Sequence, residues 1–151
     1  MVSKSTILRD ILFFIKDDIN SNITDPVSSS RPSNSKFCMT SYPQRDVVYP
    51  IITVKIINIE ALRAGMQSKA QDIILTLELR IWARNEKEKD NLYDDVIDRL
   101  FNIQFTSSGS VDNELHDLTT DNPIEIDEPG EPGGKVIKSR LINIQYKFWN
   151  I

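Results

Sequence analysis

The segment DIILTLELRIWAR, residues 72–84, constrains the fold more than any other part of the chain. Ile73, Leu75, Leu77, Leu79, Ile81 and Ala83 share one parity, and Asp72, Thr76, Glu78, Arg80 and Arg84 share the other. Successive side chains of a strand point to opposite faces, so this alternation predicts a strand with one face buried. A helix would scatter the same residues around its circumference. Such a strand needs neighbours on both sides and an apolar layer over one face. Ile74 and Trp82 are the apolar exceptions on its polar face.

Two further segments supply neighbours. In IITVKIINIE, residues 51–60, Ile52, Val54 and Ile56 alternate with Thr53 and Lys55, and then Ile57 and Ile59 change phase. One extra residue in the ladder, or a strong twist, would produce that shift, so a bulge or twist is expected there. The connection ALRAGMQSKAQ, residues 61–71, is too long for a tight turn and fits an extended hairpin. In SRLINIQYKFWNI, residues 139–151, Ile142, Ile144, Tyr146 and Phe148 oppose Asn143, Gln145 and Lys147. Trp149 lies on the polar side of this last strand.

Two helices cover the sheet. The first is capped by Ser5, runs to about Asn20, and repeats Leu8, Leu12, Ile15 and Ile19, with Ile7, Ile11 and Phe14 widening the stripe. The second is announced by Asn85 with Glu88 three residues on, a capping-box pattern. It spans about 86–101 and buries Leu92, Val96 and Leu100, flanked by Tyr93, Ile97 and Phe101. Glu86 to Asp90 read as a solvated first turn, and Asp94 and Asp95 as solvated acids. The expected fold is one α+β domain over residues 1–151. It is a two-layer sandwich with a mainly antiparallel or mixed sheet, two helices on one face, and long loops. A chain of 151 residues buries about 70% of its unfolded surface, enough for a core without staples.

The loops are the Ser-, Asn- and Pro-rich residues 21–50 and the irregular residues 104–138. Loops this long are functional or unstructured by themselves, and here they are expected to gain order from neighbouring subunits. Exposed apolar groups on a sheet face without helices pack under a loop or against another subunit. Ile74, Trp82 and Trp149 are therefore the candidate subunit-interface residues.

Residues that could carry chemistry are few. The single cysteine, Cys38, excludes an internal disulfide, and one cysteine with one histidine, His116, makes a poor zinc or nucleophile set. Gly133-Gly134-Lys135 lacks the spaced glycine and the Ser or Thr of a phosphate loop. Glu125, Asp127, Glu128 and Glu131 cluster near prolines and glycines without cation-loop spacing, and read as a solvated acidic loop. No catalytic, cofactor-binding or metal residue is expected, and no enzyme. The formal charge of −4 argues against a dedicated nucleic-acid binder. No apolar run is long enough to span a membrane. The N-terminal apolar stretch, broken by Arg9, Asp10 and Lys16, reads as mature structure rather than a leader.

The order of elements carries a resemblance. YPIITVKI at 49–56, ILTLELRIWARNEKEKDNLYDDVIDRL at 74–100 and INIQYKFW at 142–149 resemble the tail terminator, or tail-completion, proteins at the neck of long-tailed viruses of bacteria and archaea. In that family a strand ends in an aromatic-Ala turn and a charged helix begins directly. The resemblance implies a homo-oligomeric ring, usually a hexamer, between the tail tube protein and the head connector or adaptor. It implies a virion location after synthesis in the host cytoplasm, and passage of DNA without specific binding. Residues 21–50 and 104–138 depart from the smallest members, so no contact residue carries over there. Other neck adaptors or tail components are the near alternatives. A cellular α+β module that takes a peptide along a sheet edge is the alternative from another class.

Overall fold

In the computed structural model the alternating segment is the centre of a six-stranded mixed sheet. The structure describes residues 7–33, 35–42, 47–63, 71–104, 107–108, 111–112, 115–128 and 136–150. In chain order these form α1 (Ile7–Asn22), β1 (Cys38–Met39), β2 (Ile51–Arg63), β3 (Gln71–Ala83), α2 (Glu86–Asn102), β4 (Ser107–Ser108), β5 (Val111–Asp112), β6 (His116–Thr120), β7 (Ile124–Glu128) and β8 (Ile137–Asn150). The sheet order is β1-β2-β3-β8-β6, and β7 also pairs with β8. β1 is parallel to β2, and every other pairing is antiparallel. β4 and β5 make a separate small hairpin.

The register explains the core. Leu75, Leu77 and Leu79 stand opposite Tyr146, Ile144 and Ile142 of β8, and all six are buried. Across β2, Leu79 and Ile81 meet Val54 and Ile52. The ladder slips between Ile56 and Asn58, where the phase change in the sequence predicts a bulge or twist. α1 packs on β1 and β2, and α2 on β3 and β8, so both helices lie over one sheet face.

The buried row of α1 is Ile11, Ile15 and Ile19, continued at the same spacing by Ile23 just past its end. Leu12 and Phe14 flank it, partly buried, so the expected stripe is turned by one position. Ser5 and the side chain of Leu8 lie outside the described residues. α2 starts as its cap predicts: Asn85 has extended backbone, and its side chain accepts from the Glu88 amide at 2.9 Å. The Glu88 carboxylate accepts from the amide of Arg84, not of Asn85, at 3.1 Å. Leu92, Val96 and Leu100 are buried as expected. Phe101 is exposed instead, because it sits one position beyond the Leu100 row at the helix end.

Two helix ends are tied to the layer below. Tyr146 is buried in the core, and its hydroxyl donates to the Leu100 carbonyl at 2.9 Å. That carbonyl lies in the last turn of α2, where no helical amide remains to serve it. Arg99 grips Asp18 with two hydrogen bonds of 2.7 Å, fixing α2 to α1.

The long loops are more structured than expected. Within 21–50, β1 adds an edge strand and Phe37 and Cys38 join the core. Within 104–138, β6 and β7 line up along β8, from His116 opposite Lys147 to Glu128 opposite Ile137. Around the break between them, Asp121 still donates to Asn143 at 3.0 Å. Together β6 and β7 act as one interrupted edge strand rather than a loop.

Candidate functional site

The candidate surface is the sheet face that carries no helix, together with the loops and edges around it. Even positions of β3 point to this face, which places Ile74 and Trp82 there. Trp149 pairs with Asp72 in the register, but its side chain lies outside the described residues. Ile74 is half-buried. Trp82 is only 8% exposed. Tyr42 covers it with ring centroids 4.8 Å apart, the Arg80 guanidinium stacks at 3.8 Å, and its indole nitrogen lies 3.5 Å from the Thr53 hydroxyl. Of the two fates open to an apolar group here, Trp82 therefore takes the loop cover within its own chain. Exposed apolar surface on this face is instead supplied by Ile124 of β7.

The loop that carries Tyr42 is held by a buried arginine. Arg31 donates through Nε and Nη2 to both carboxylate oxygens of Asp25, at 2.5 and 3.0 Å. It also donates to the carbonyls of Val48 at 2.7 Å and Pro50 at 2.6 Å, and its guanidinium lies 5.5 Å from the Phe37 ring. The two side chains are 6% and 14% exposed. Burial pushes the Asp25 carboxyl up, but the Arg31 hydrogen bond and the Val27 amide more than offset it, holding the group below the usual carboxylate range. One side chain thus joins residues 25, 31, 48 and 50. The pairing was hidden in the sequence because Arg31 stands among serines and prolines, and the carbonyls it serves lie 17 and 19 residues on.

Cys38 is not poised for nucleophilic chemistry. It is buried, and burial pushes its thiol up to about 12. Its backbone is the notable part: Asn20 accepts from the Cys38 amide at 2.9 Å and donates to the Cys38 carbonyl at 3.1 Å. The Asn20 amide group thereby takes the place of a further strand beside β1. The side chain of His116, the other candidate, lies outside the described residues.

Where it is described, the acidic cluster is exposed as expected, but it lies on strand β7 instead of in a loop and is ion-paired. Glu125 is bonded by both Lys89 and Arg140, Asp127 by Lys138 at 2.9 Å, and Arg140 also reaches Asp90 at 2.8 Å. Lys89 bonds Glu86 as well, at 2.5 Å, and its side chain is only 3% exposed. The first turn of α2 is therefore partly a buried clamp on β7 and β8. Glu125 answers to two cations: burial raises its carboxyl, and Lys89 and Arg140 lower it further than burial raises it. Glu131 and Gly133 to Lys135 lie outside the described residues, as does the side chain of Glu128.

Among the described residues, no group of three or more His, Cys, Asp or Glu is placed to hold a metal ion. No described helix is long and apolar enough to cross a membrane. On the outward side of α2, Asp94, Asp95 and Asp98 are all exposed. No family model matches the chain, and no curated protein matches it.

Proposed function

We propose that this chain is a structural virion protein that forms a ring at the head–tail junction, ends the tail tube and joins it to the head connector. The observation that carries the reading is the one-sided layering. Both helices cover one face of a sheet built on a long β2–β3 hairpin, only Arg84 and Asn85 separate α2 from β3, and β8 returns to pair along the whole of β3. This is the element order on which the resemblance to tail terminators rests. The other face is left for contacts, with Ile74 and Ile124 among its apolar groups and a Tyr42–Trp82–Arg80 cluster fixed on it.

In this proposal the chain has no catalytic step and serves as a passive conduit. A wall that lets DNA slide should not neutralise phosphates, since each neutralised phosphate adds salt-dependent affinity. The exposed Asp94, Asp95 and Asp98 of α2 suit such a wall by like-charge repulsion. Copies around the axis would touch head-to-tail, each contact joining two different surfaces. A cellular module that takes a peptide strand is the second reading, favoured by the edge of β2, which beyond Thr53 pairs with no outer strand among the described residues. Labelling the chain with an antibody on native particles separates the two: label at the neck supports the ring, and label absent from particles sinks it.

A further inference from the structure

The sheet has three outer margins, and the chain treats them differently. At β1, Asn20 occupies the outward amide and carbonyl of Cys38. At the opposite side, β6 and β7 are each five residues, separated by Asp121 to Pro123, with a slip between His116 and Thr119 and a left-handed Asp117. Interruption, proline, bulge and charge are the devices by which natural sheets refuse a further strand. The third margin carries a bulge between Ile56 and Asn58 and the charges of Lys55 and Glu60, but no proline and no interruption. β1 pairs only with Ile52 and Thr53, so from Val54 onward β2 has no strand on its outer side among the described residues. This stretch is rich in β-branched residues, and Ile57 and Ile59 are 44% and 38% exposed.

We propose that Val54–Ala61 pairs antiparallel with the same segment of a second copy, about a twofold axis perpendicular to the sheet. Centred between Ile57 and Asn58, this register sets Val54 against the partner's Ala61, Lys55 against the partner's Glu60, and Ile56 against the partner's Ile59. Opposite charges meet at both symmetry-related positions, which is what selects a second copy as occupant.

The bulge makes the faces agree. Lys55 and Glu60 stand opposite Glu78 and Ile74, two even positions of β3, so both lie on the face without helices. Val54, Ile56, Ile59 and Ala61 stand opposite Leu79, Leu77, Leu75 and Ile73, on the helix side. In an unbroken strand Lys55 and Glu60 would face opposite ways. The residue inserted at 57 brings them to one side, as the perpendicular axis requires. The pairing ends where β1 begins, because the next partners of Leu62 and Arg63 would be Thr53 and Ile52. Within one copy Lys55 reaches Glu78 at 3.3 Å and Glu60 accepts from Asn58 at 3.3 Å, exposed contacts that exchange at little cost. This contact is isologous and does not rest on the ring, whose contacts are head-to-tail.

Sedimentation equilibrium of the isolated chain tests it. A monomer–dimer equilibrium is expected, weakened by about tenfold or more in K55E and in E60K, where like charges face each other twice. The double swap K55E/E60K restores the pairing and should return the dimer to wild-type strength. A cooperative melting transition of each of the three variants, followed at a concentration where the chain is monomeric, shows that the fold is intact. A chain monomeric at every concentration overturns the proposal, as does a double swap no stronger than the single changes. Occupation of this edge by a different protein while the chain alone stays monomeric overturns it too. A higher-order ring indifferent to all three variants rejects the edge contact and leaves the ring reading standing.

Discussion

Replacing Arg31 by methionine tests whether the loop before β2 is built by the chain itself. Methionine keeps much of the stem volume and removes the charge and every donor. Asp25, 14% exposed, would lose its charged partner and keep only the Val27 amide, and the carbonyls of Val48 and Pro50 would lose the Arg31 donors. Breaking a buried ion pair costs about 3–5 kcal/mol, and each stranded carbonyl adds about 1–3 kcal/mol when water cannot reach it. Asp25 is near enough to solvent to rehydrate in part, so the lower end applies, about 3 kcal/mol. With a urea m-value of about 2 kcal/mol/M, the midpoint should fall by about 1.5 M. Urea unfolding followed by fluorescence is the assay, since Trp82 lies under Tyr42 and reports loss of the cover. The double variant D25N/R31M should lose less than the sum of the single changes, because the stranded charge is gone. A midpoint shift below about 0.3 M for R31M, with Trp82 emission unchanged, would refute the reasoning.

Other outcomes follow from the same geometry. Leu77→Ala, at a fully buried position of β3, should cost about 2–5 kcal/mol in the same assay. Deleting residues 141–151 removes most of the β8 partner of β3 and should abolish cooperative melting, whereas one sharp transition in the truncated chain would contradict this. Asp25 and Glu125 are both depressed below their ordinary values of 3.8 and 4.5. Their contribution is fully present above those values and is lost as pH falls through the folded-state pKa. The urea midpoint should therefore be flat near neutrality and decline below about pH 4.5, and R31M should show a shallower decline.

Where one face of an element is apolar and regular, the sequence carries the structure plainly. The odd residues of β3, the phase change at Ile57, the Asn85 cap and Ile142, Ile144 and Tyr146 of β8 all take the places that their periods require, while the side chain of Phe148 lies outside the described residues. The edge strands did not show because each is only five residues long: HDLTT has one apolar residue, and the two isoleucines of IEIDE are too few to mark a strand, its Glu125 and Asp127 being held by ion pairs. Lys89 looked like one charge of a solvated first turn, and only tertiary pairing with Glu125 makes it buried. The loop hub failed for the same reason, since Arg31 acts on carbonyls far along the chain. Of the three candidate interface residues, Ile74 is half-exposed on the expected face and Trp82 is covered by Tyr42. A sequence shows that an apolar group needs cover, and it does not show which segment provides it.

The ring is tested most directly by an electron-microscopic reconstruction of the neck of the native particle, at a resolution that traces this chain. Several copies closed around the tube axis are expected, touching head-to-tail between the tail tube and the connector, with a lumen not dominated by Lys and Arg. A single copy in contact with no other, or a lumen lined mainly by basic side chains that grip the DNA, would contradict the proposal.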